Sequence, residues 1–178
     1  MRAGTSERLN PLRRAYTLVE VLVVVTVLGI AAAMVVPSLG QTGVLRVQGA
    51  VRTVVADIAI AQSDAIAFQK GRAIVFHNDP GRPHYVVCEV NGSNIDETLD
   101  KISEQAFVGG EFGDVRFDNI NLSNGMIVFD ELGGPVTAPQ SGTPTTTLQS
   151  FDIIGSGQRF RVNIEAFTGK VTVESLPM

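Results

Sequence analysis

The sequence predicts an α+β protein in which one long N-terminal helix packs on an antiparallel, β-rich head. A predominantly apolar stretch covers residues 16–36, and an apolar stripe with helical spacing follows it. From Arg72 onward, short apolar runs alternate with turn residues. The predicted divisions are a basic leader at 1–15, a transmembrane half of the helix at 16–36, a hinge and an amphipathic half at 37–71, and an extracytoplasmic head at 72–178.

The charge is unevenly distributed along the chain. Residues 1–15 contain four arginines and one glutamate, so they carry a charge of +3. Because the net charge of the chain is −4, the remaining residues carry −7. An acidic remainder argues against a nucleic-acid partner. The single cysteine, Cys88, cannot form an internal disulfide, and its position in an apolar run predicts a small buried side chain.

As a helix, residues 16–36 would extend about 31 Å at 1.5 Å per residue, which matches the hydrocarbon core of a bilayer. Arginines precede this stretch, and only Arg46 follows it closely. The positive-inside bias therefore predicts a single-pass protein with a cytoplasmic N-terminus and an extracytoplasmic head.

Three interpretations of this stretch compete: a secretory signal cut near Ala33, a plain membrane anchor, and a signal cut before Tyr16 that keeps the apolar stretch in the mature protein. Glu20 favours the third, because a carboxylate inside an apolar helix costs about 2.5 kcal/mol or more. A cut before Tyr16 creates an α-amino group four residues upstream of Glu20. In a helical assembly, the amine of one subunit can meet the glutamate of its neighbour and set the register between them.

The segment from Arg13 to Glu20, Arg-Arg-Ala-Tyr-Thr-Leu-Val-Glu, resembles the prepilin cleavage and N-methylation signal. The resemblance implies cleavage between Ala15 and Tyr16, methylation of Tyr16, and an assembly role for Glu20 as the fifth mature residue. Pro37 then occupies the twenty-second mature position, where pilins often carry a proline. Ala15 departs from the usual glycine before the cut.

Pro37 and two nearby glycines weaken the helix locally, so this stretch is either the end of the membrane helix or a soft hinge within it. Beyond it, apolar residues recur every three or four positions until Gly71, which indicates a helix that buries one face. The predicted stripe consists of Val44, Val47, Val51, Val54, Ile58, Ala61, Ala65 and Phe68.

The head contains seven apolar runs that predict strands, and the last two form a hairpin with alternating apolar and polar residues. These runs lie at 73–76, 85–88, 115–117, 126–129, 148–154, 160–166 and 171–173. Residues 133–147 are rich in Pro, Thr, Gly and Ser, which predicts an exposed loop.

Three short motifs in the head extend the resemblance to the H-type minor pseudopilins of type II secretion and the FimT-like minor pilins. They are Ala-Gln-Ser-Asp-Ala-Ile at 61–66, Met-Ile-Val-Phe-Asp at 126–130 before a Gly-Gly turn, and Phe-Thr-Gly-Lys-Val at 167–171. The resemblance implies a structural subunit of a periplasmic pseudopilus, anchored in the bacterial inner membrane. The implied partners are other pseudopilins or pilins through the N-terminal helix, the prepilin peptidase and inner-membrane lipid. The alternatives are a type IV pilus minor pilin, including one for DNA uptake, and a secreted soluble β domain released by signal peptidase.

Candidate metal ligands are few. His77 and His84 flank a turn that contains Asp79, but their spacing matches no common zinc pattern, which predicts no metal site. Asp114, Asp118, Asn119 and Asn121 are oxygen-rich without the spacing of an EF-hand, which favours a solvated loop over a calcium site.

Arg159, Arg161 and Lys170 could form a small basic patch on the last hairpin, because residues two apart on a strand share a face. FimT-like minor pilins for DNA uptake carry such a patch, but Glu165 and Glu174 lie close in sequence and favour an ordinary solvated strand face. No nucleophile elbow, P-loop or dinucleotide fingerprint occurs, so we expect no enzymatic activity and no cofactor.

Overall fold

The computed structural model describes residues 16–35, 42–109 and 112–177. The chain divides into two compact units, residues 1–40 and 41–178, and each is described by itself. The predicted leader 1–15, including Ala15, and the predicted hinge residue Pro37 lie outside the described residues.

The first unit contains helix α1 (Leu18–Val35). Thr17 caps its N-terminus, because the Thr17 hydroxyl accepts a hydrogen bond of 3.1 Å from the backbone N–H of Glu20. The side chains of residues 16–33 are exposed around the whole circumference of the helix. Among the helices that the structure describes, none is both long enough and apolar enough to cross a membrane.

The second unit begins with helix α2 (Thr42–Phe68), which buries the predicted stripe from Val47 to Ala65 against the head. The prediction is wrong at Phe68, which is 63% exposed. The helix ends there because Gln69 adopts a left-handed conformation with φ of 51°. The Phe68 ring instead lies beneath the Arg72 guanidinium, 5.6 Å from the ring centroid.

Nine strands follow among the residues that the structure describes, and all pair antiparallel in two sheets. The first sheet has the order β3-β2-β1-β5-β6 and the second β4-β7-β8-β9. The bounds are β1 Arg72–Asp79, β2 Arg82–Glu89, β3 Lys101–Ala106, β4 Arg116–Asn121, β5 Met126–Phe129, β6 Pro135–Val136, β7 Gln149–Gly155, β8 Gln158–Ile164 and β9 Val171–Leu176.

One core joins α2 to both sheets. Its centre is aromatic: the Phe76 ring lies 4.6 Å from Phe151 and 5.2 Å from Phe117 between ring centroids. The Tyr85 hydroxyl donates a hydrogen bond to the Asp57 carboxylate, which ties the first sheet to α2. Cys88 in β2 is fully buried, which confirms that prediction.

The structure corrects two further predictions for the head. Strand β3 was not predicted, because its sequence, Lys-Ile-Ser-Glu-Gln-Ala, is polar and its first four side chains are exposed. The segment 133–147 is not simply an exposed loop, because β6 pairs with β5 and buries Val136 against Ala73 and Val128 in a second, smaller core.

Candidate assembly surfaces

Helix α1 presents apolar side chains on every side. Leu18, Leu28 and Ile30 are 82%, 62% and 62% exposed, and Glu20 is the only ionisable residue in the helix. A helix that is apolar all round is stable only where other apolar groups cover it. Helix α1 therefore needs apolar surroundings to cover its side chains.

The charged group of this surface lies at its N-terminal end. Glu20 is in the first turn of α1, and its backbone N–H also donates to the Thr17 carbonyl at 3.1 Å. Tyr16 is the first described residue and is 79% exposed. Tyr16 stands two residues before α1 begins and four residues before Glu20. Cleavage before Tyr16, methylation of Tyr16, pairing of Glu20 and a hinge at Pro37 stay predictions.

The second unit has an apolar groove between α2 and the strands β8 and β9. Its volume is about 470 Å³, and the side chains that line it are mostly apolar. The lining residues are Gln48, Val51, Arg52, Val55, Ala56, Ala59, Phe160 and Val173. The sequence did not predict this groove. The alternation of apolar and polar residues in the last hairpin predicts that Phe160 lies in the core, but in the structure its side chain is only half-buried.

Further along α2, three apolar residues outside the buried part of the stripe are exposed. Ile60, Ile66 and Phe68 are 56%, 53% and 63% exposed. Leu132, which precedes the Gly133 that Ile66 contacts, is 86% exposed. Single exposed apolar residues are ordinary on a protein surface, but here they lie on one helix and the turn beside it.

The two arginines of the predicted basic patch belong to an ion network on the second sheet. Asp152 in β7 is fully buried, and its carboxylate accepts hydrogen bonds from Arg161 at 2.8 Å and Asn119 at 2.8 Å. Arg159 lies 3.5 Å from Asp152 and 3.2 Å from Asp118. Burial raises the pKa of Asp152, but the hydrogen bonds from Arg161 and Asn119 and the two arginine charges outweigh it, so this pKa lies below its ordinary value.

Lys170 stands apart from this network, 67% exposed and 4.0 Å from the Glu165 carboxylate. Each of the three predicted patch residues therefore has an acidic neighbour. A cation that is already paired gains less from a phosphate than a free one. The nucleic-acid role of Arg159, Arg161 and Lys170 stays a prediction.

The oxygen-rich residues 114–121 do not converge on one point. The Asp114 carboxylate accepts hydrogen bonds from the backbone N–H and the hydroxyl of Ser156, at 2.8 and 2.9 Å. Asp118 pairs with Arg159, and Asn119 binds Asp152. By contrast, His77, Asp79 and His84 come together, with one potential ligand atom of each within 4.8 Å of the others.

Residues 10–36 match the family model described as the prokaryotic N-terminal methylation motif. No curated protein matches the chain. Among solved structures, the chain is similar to the crystal structure of the type IV minor pilin FimU of Pseudomonas aeruginosa, strain PAO1. The TM-score is 0.52 at 17% identity, and the likeness covers 72% of this chain and 87% of that one.

These comparisons confirm two predictions. The N-terminal segment carries a prepilin-type motif, and the second unit has the pilin arrangement of a helix packed on antiparallel sheets. The chain therefore combines a prepilin-type N-terminal motif with a pilin-like fold, a combination that the two leading interpretations of the sequence share.

Proposed function

We propose that the chain is a minor pseudopilin, a structural subunit of a periplasmic pseudopilus in type II protein secretion. The observation that carries the proposal is α1, an exposed and predominantly apolar helix whose one charge, Glu20, falls within the matched methylation motif. The prepilin peptidase removes residues 1–15, and the new N-terminal Tyr16 is methylated. The role is structural and needs no catalytic residue and no cofactor.

Before assembly, residues 16–36 hold the chain in the inner membrane, with the head in the periplasm. On assembly, they pack against the equivalent helices of neighbouring subunits, and burial of apolar surface drives this step. Glu20 pairs with the amine of a neighbour, because an unpaired carboxylate inside such a bundle is costly. The pair therefore fixes the axial position of each subunit, and Pro37 gives the helix a point at which to bend.

The second unit supplies contacts specific to this subunit. The groove lined by Val55, Phe160 and Val173 and the exposed residues of α2 are apolar surfaces that a neighbouring head can cover. Such surfaces are typical of proteins that associate. They favour a head that associates with a partner over a soluble domain that needs none.

A type IV pilus minor pilin is the second candidate, and the likeness to FimU favours it. In the version that takes up DNA, Arg159 and Arg161 contact phosphate. Their ion pairs with Asp118 and Asp152 weigh against this version. Measurable binding of duplex DNA that is lost in the Arg159→Ala, Arg161→Ala double variant, but kept in Arg52→Ala, would favour DNA uptake over protein export.

The experiment that tests the proposal is the N-terminal sequence and intact mass of the membrane-extracted protein, expressed with its own prepilin peptidase. We expect a chain that begins at Tyr16 and carries one added methyl group. The Glu20→Val variant should be processed in the same way but should fail to enter filaments. A chain that begins just after Ala33, or one that is never cut, would overturn the assembly mechanism.

A further inference from the structure

The end of the β1–β2 hairpin brings together both histidines of the chain. His77 and His84 lie directly opposite each other in the register, and a two-residue turn, Pro80 and Gly81, closes the hairpin. Their rings stack with centroids 4.6 Å apart. Asp79 lies two residues beyond His77, hence on the same face of the strand. One potential ligand atom of each of these three residues lies within 4.8 Å of the others.

The hydrogen bonds of the two rings leave one nitrogen free on each. His84 Nδ1 is 3.0 Å from the Arg82 carbonyl, which can only accept, so Nδ1 carries the proton and Nε2 keeps its lone pair. His77 Nε2 is 2.7 Å from the Glu97 carboxylate, which assigns the proton to Nε2 and the lone pair to Nδ1. Metal-binding histidines are held in this way, with the second nitrogen donating to a carboxylate or a carbonyl.

The charges around the hairpin leave the Asp79 carboxylate available. Arg82, its partner in the register, turns to Glu104, with 2.6 Å between the guanidinium and the carboxylate. Within the described part of the chain, the only basic group recorded near Asp79 is His84, whose protonated Nδ1 lies 3.8 Å from the Asp79 carboxylate. The Asp79 side chain is 66% exposed and the His77 and His84 side chains are 14–30% exposed, so solvent reaches the group.

We propose that His77, His84 and Asp79 form a binding site for a divalent transition-metal ion of the zinc class, with Glu97 as the outer carboxylate that orients His77. Two imidazoles and one carboxylate are a donor set that Zn²⁺ accepts, and a fourth position stays open to water. Ligands at about 2.1 Å in a tetrahedral site lie about 3.4 Å apart. Metal binding therefore needs the carboxylate and the ring nitrogens to move inward by about 1 Å. The two rings, which stack within 17° of parallel, must also turn so that His77 Nδ1 and His84 Nε2 point at one ion, and the exposed end of a hairpin allows both movements.

A bound metal ion would crosslink three segments of the head. Metal bound to His77 and His84 crosslinks β1 to β2, and Glu97 adds the loop that leads to β3. The sequence spacing alone could not indicate the site, because the two histidines become neighbours only through the hairpin register. The site does not depend on the proposed role in a filament.

The test is a calorimetric titration of the purified, chelator-treated full chain with Zn²⁺, in detergent and without a histidine tag. We expect one Zn²⁺ per chain and a rise in the thermal unfolding midpoint on binding. Bound Co²⁺ should show the visible absorption of a site with nitrogen ligands. His77→Ala and His84→Ala should abolish saturable binding, and Glu97→Gln should weaken it roughly 10- to 100-fold.

Asn78→Ala is the matched control, because Asn78 is an exposed neighbour of His77 on the other face of β1 and should bind as the natural chain does. The unfolding midpoint of each metal-free variant shows whether it folds. If one histidine variant does not fold, the other and Glu97→Gln carry the test. The proposal is overturned if Zn²⁺ does not saturate at one per chain, or if His77→Ala binds it with unchanged affinity.

Discussion

At the scale of single residues, Asp152 is the most constrained charged group of the head. It is fully buried in β7, and its partners Arg159 and Arg161 are 28% and 36% exposed. Asp152→Asn leaves both arginines beside a neutral group, which should lower the free energy of unfolding by about 2 to 4 kcal/mol. Urea unfolding measures this loss. Glu165→Gln, which breaks only an exposed contact, should change it by less than about 1 kcal/mol.

The same carboxylate predicts a pH dependence. The pKa of Asp152 lies below its ordinary value of 3.8 in the folded chain, so the unfolded chain takes up this proton first as the pH falls. Its contribution to stability is therefore complete above about pH 5 and is lost as the pH falls through the folded pKa. In acid titrations of unfolding, Asp152→Asn should flatten this decline. An unchanged slope would mean that other carboxylates dominate.

Asp152 also shows what the sequence could not reveal. It stands in an apolar run between Phe151 and Ile153, and the neighbouring residues give no indication of a partner for its carboxylate. Its partners, Arg161 and Asn119, are nine and 33 residues away and meet it only through the pairing of β7 with β8 and β4. For Glu20, by contrast, the sequence does predict a partner, because the predicted cut before Tyr16 would create an amine four residues upstream; this role stays a prediction.

At the scale of elements, α2 offers a matched pair of isoleucines. Ile58 is fully buried on the stripe, whereas Ile60 is 56% exposed on the other side. Ile58→Ala should cost about 2 to 5 kcal/mol of stability, and Ile60→Ala less than about 0.5 kcal/mol. Urea unfolding separates the two. Equal losses would show that the helix does not pack on the head through the stripe.

The elements differ in how well the sequence predicted them. The stripe of α2 was predictable because helical spacing is a local pattern, and β8 and β9 because each alternates. Strand β3 was not, since it is a polar edge strand held only by pairing with β2. The strand order of the first sheet was not predictable either. In this sheet β1 pairs with β5, although β2, β3 and β4 lie between them in the sequence.

At the scale of the whole molecule, the division at residue 40 predicts an independent head. Residues 41–178 contain α2, both sheets and the described core. A fragment of these residues should unfold in one cooperative step, with the same urea midpoint as the full chain in detergent. A fragment of residues 72–178 should not fold, because it lacks seven buried side chains of α2, of which the three valines and one isoleucine are each worth up to about 1.5–3 kcal/mol. Far-UV circular dichroism distinguishes the outcomes, and a stable 72–178 fragment would contradict this account.

The reactivity of the buried cysteine, Cys88, reports on how often the head opens. Burial, together with the charges of Glu97 and Asp100, raises the pKa of the Cys88 thiol to about 11, and the reactive form of a thiol is the thiolate. A closed head therefore hides its one thiol from disulfide exchange, and two chains cannot crosslink through it while they stay folded. Each opening of β2 exposes a single reactive atom, so the rate of alkylation by a small reagent counts those openings directly.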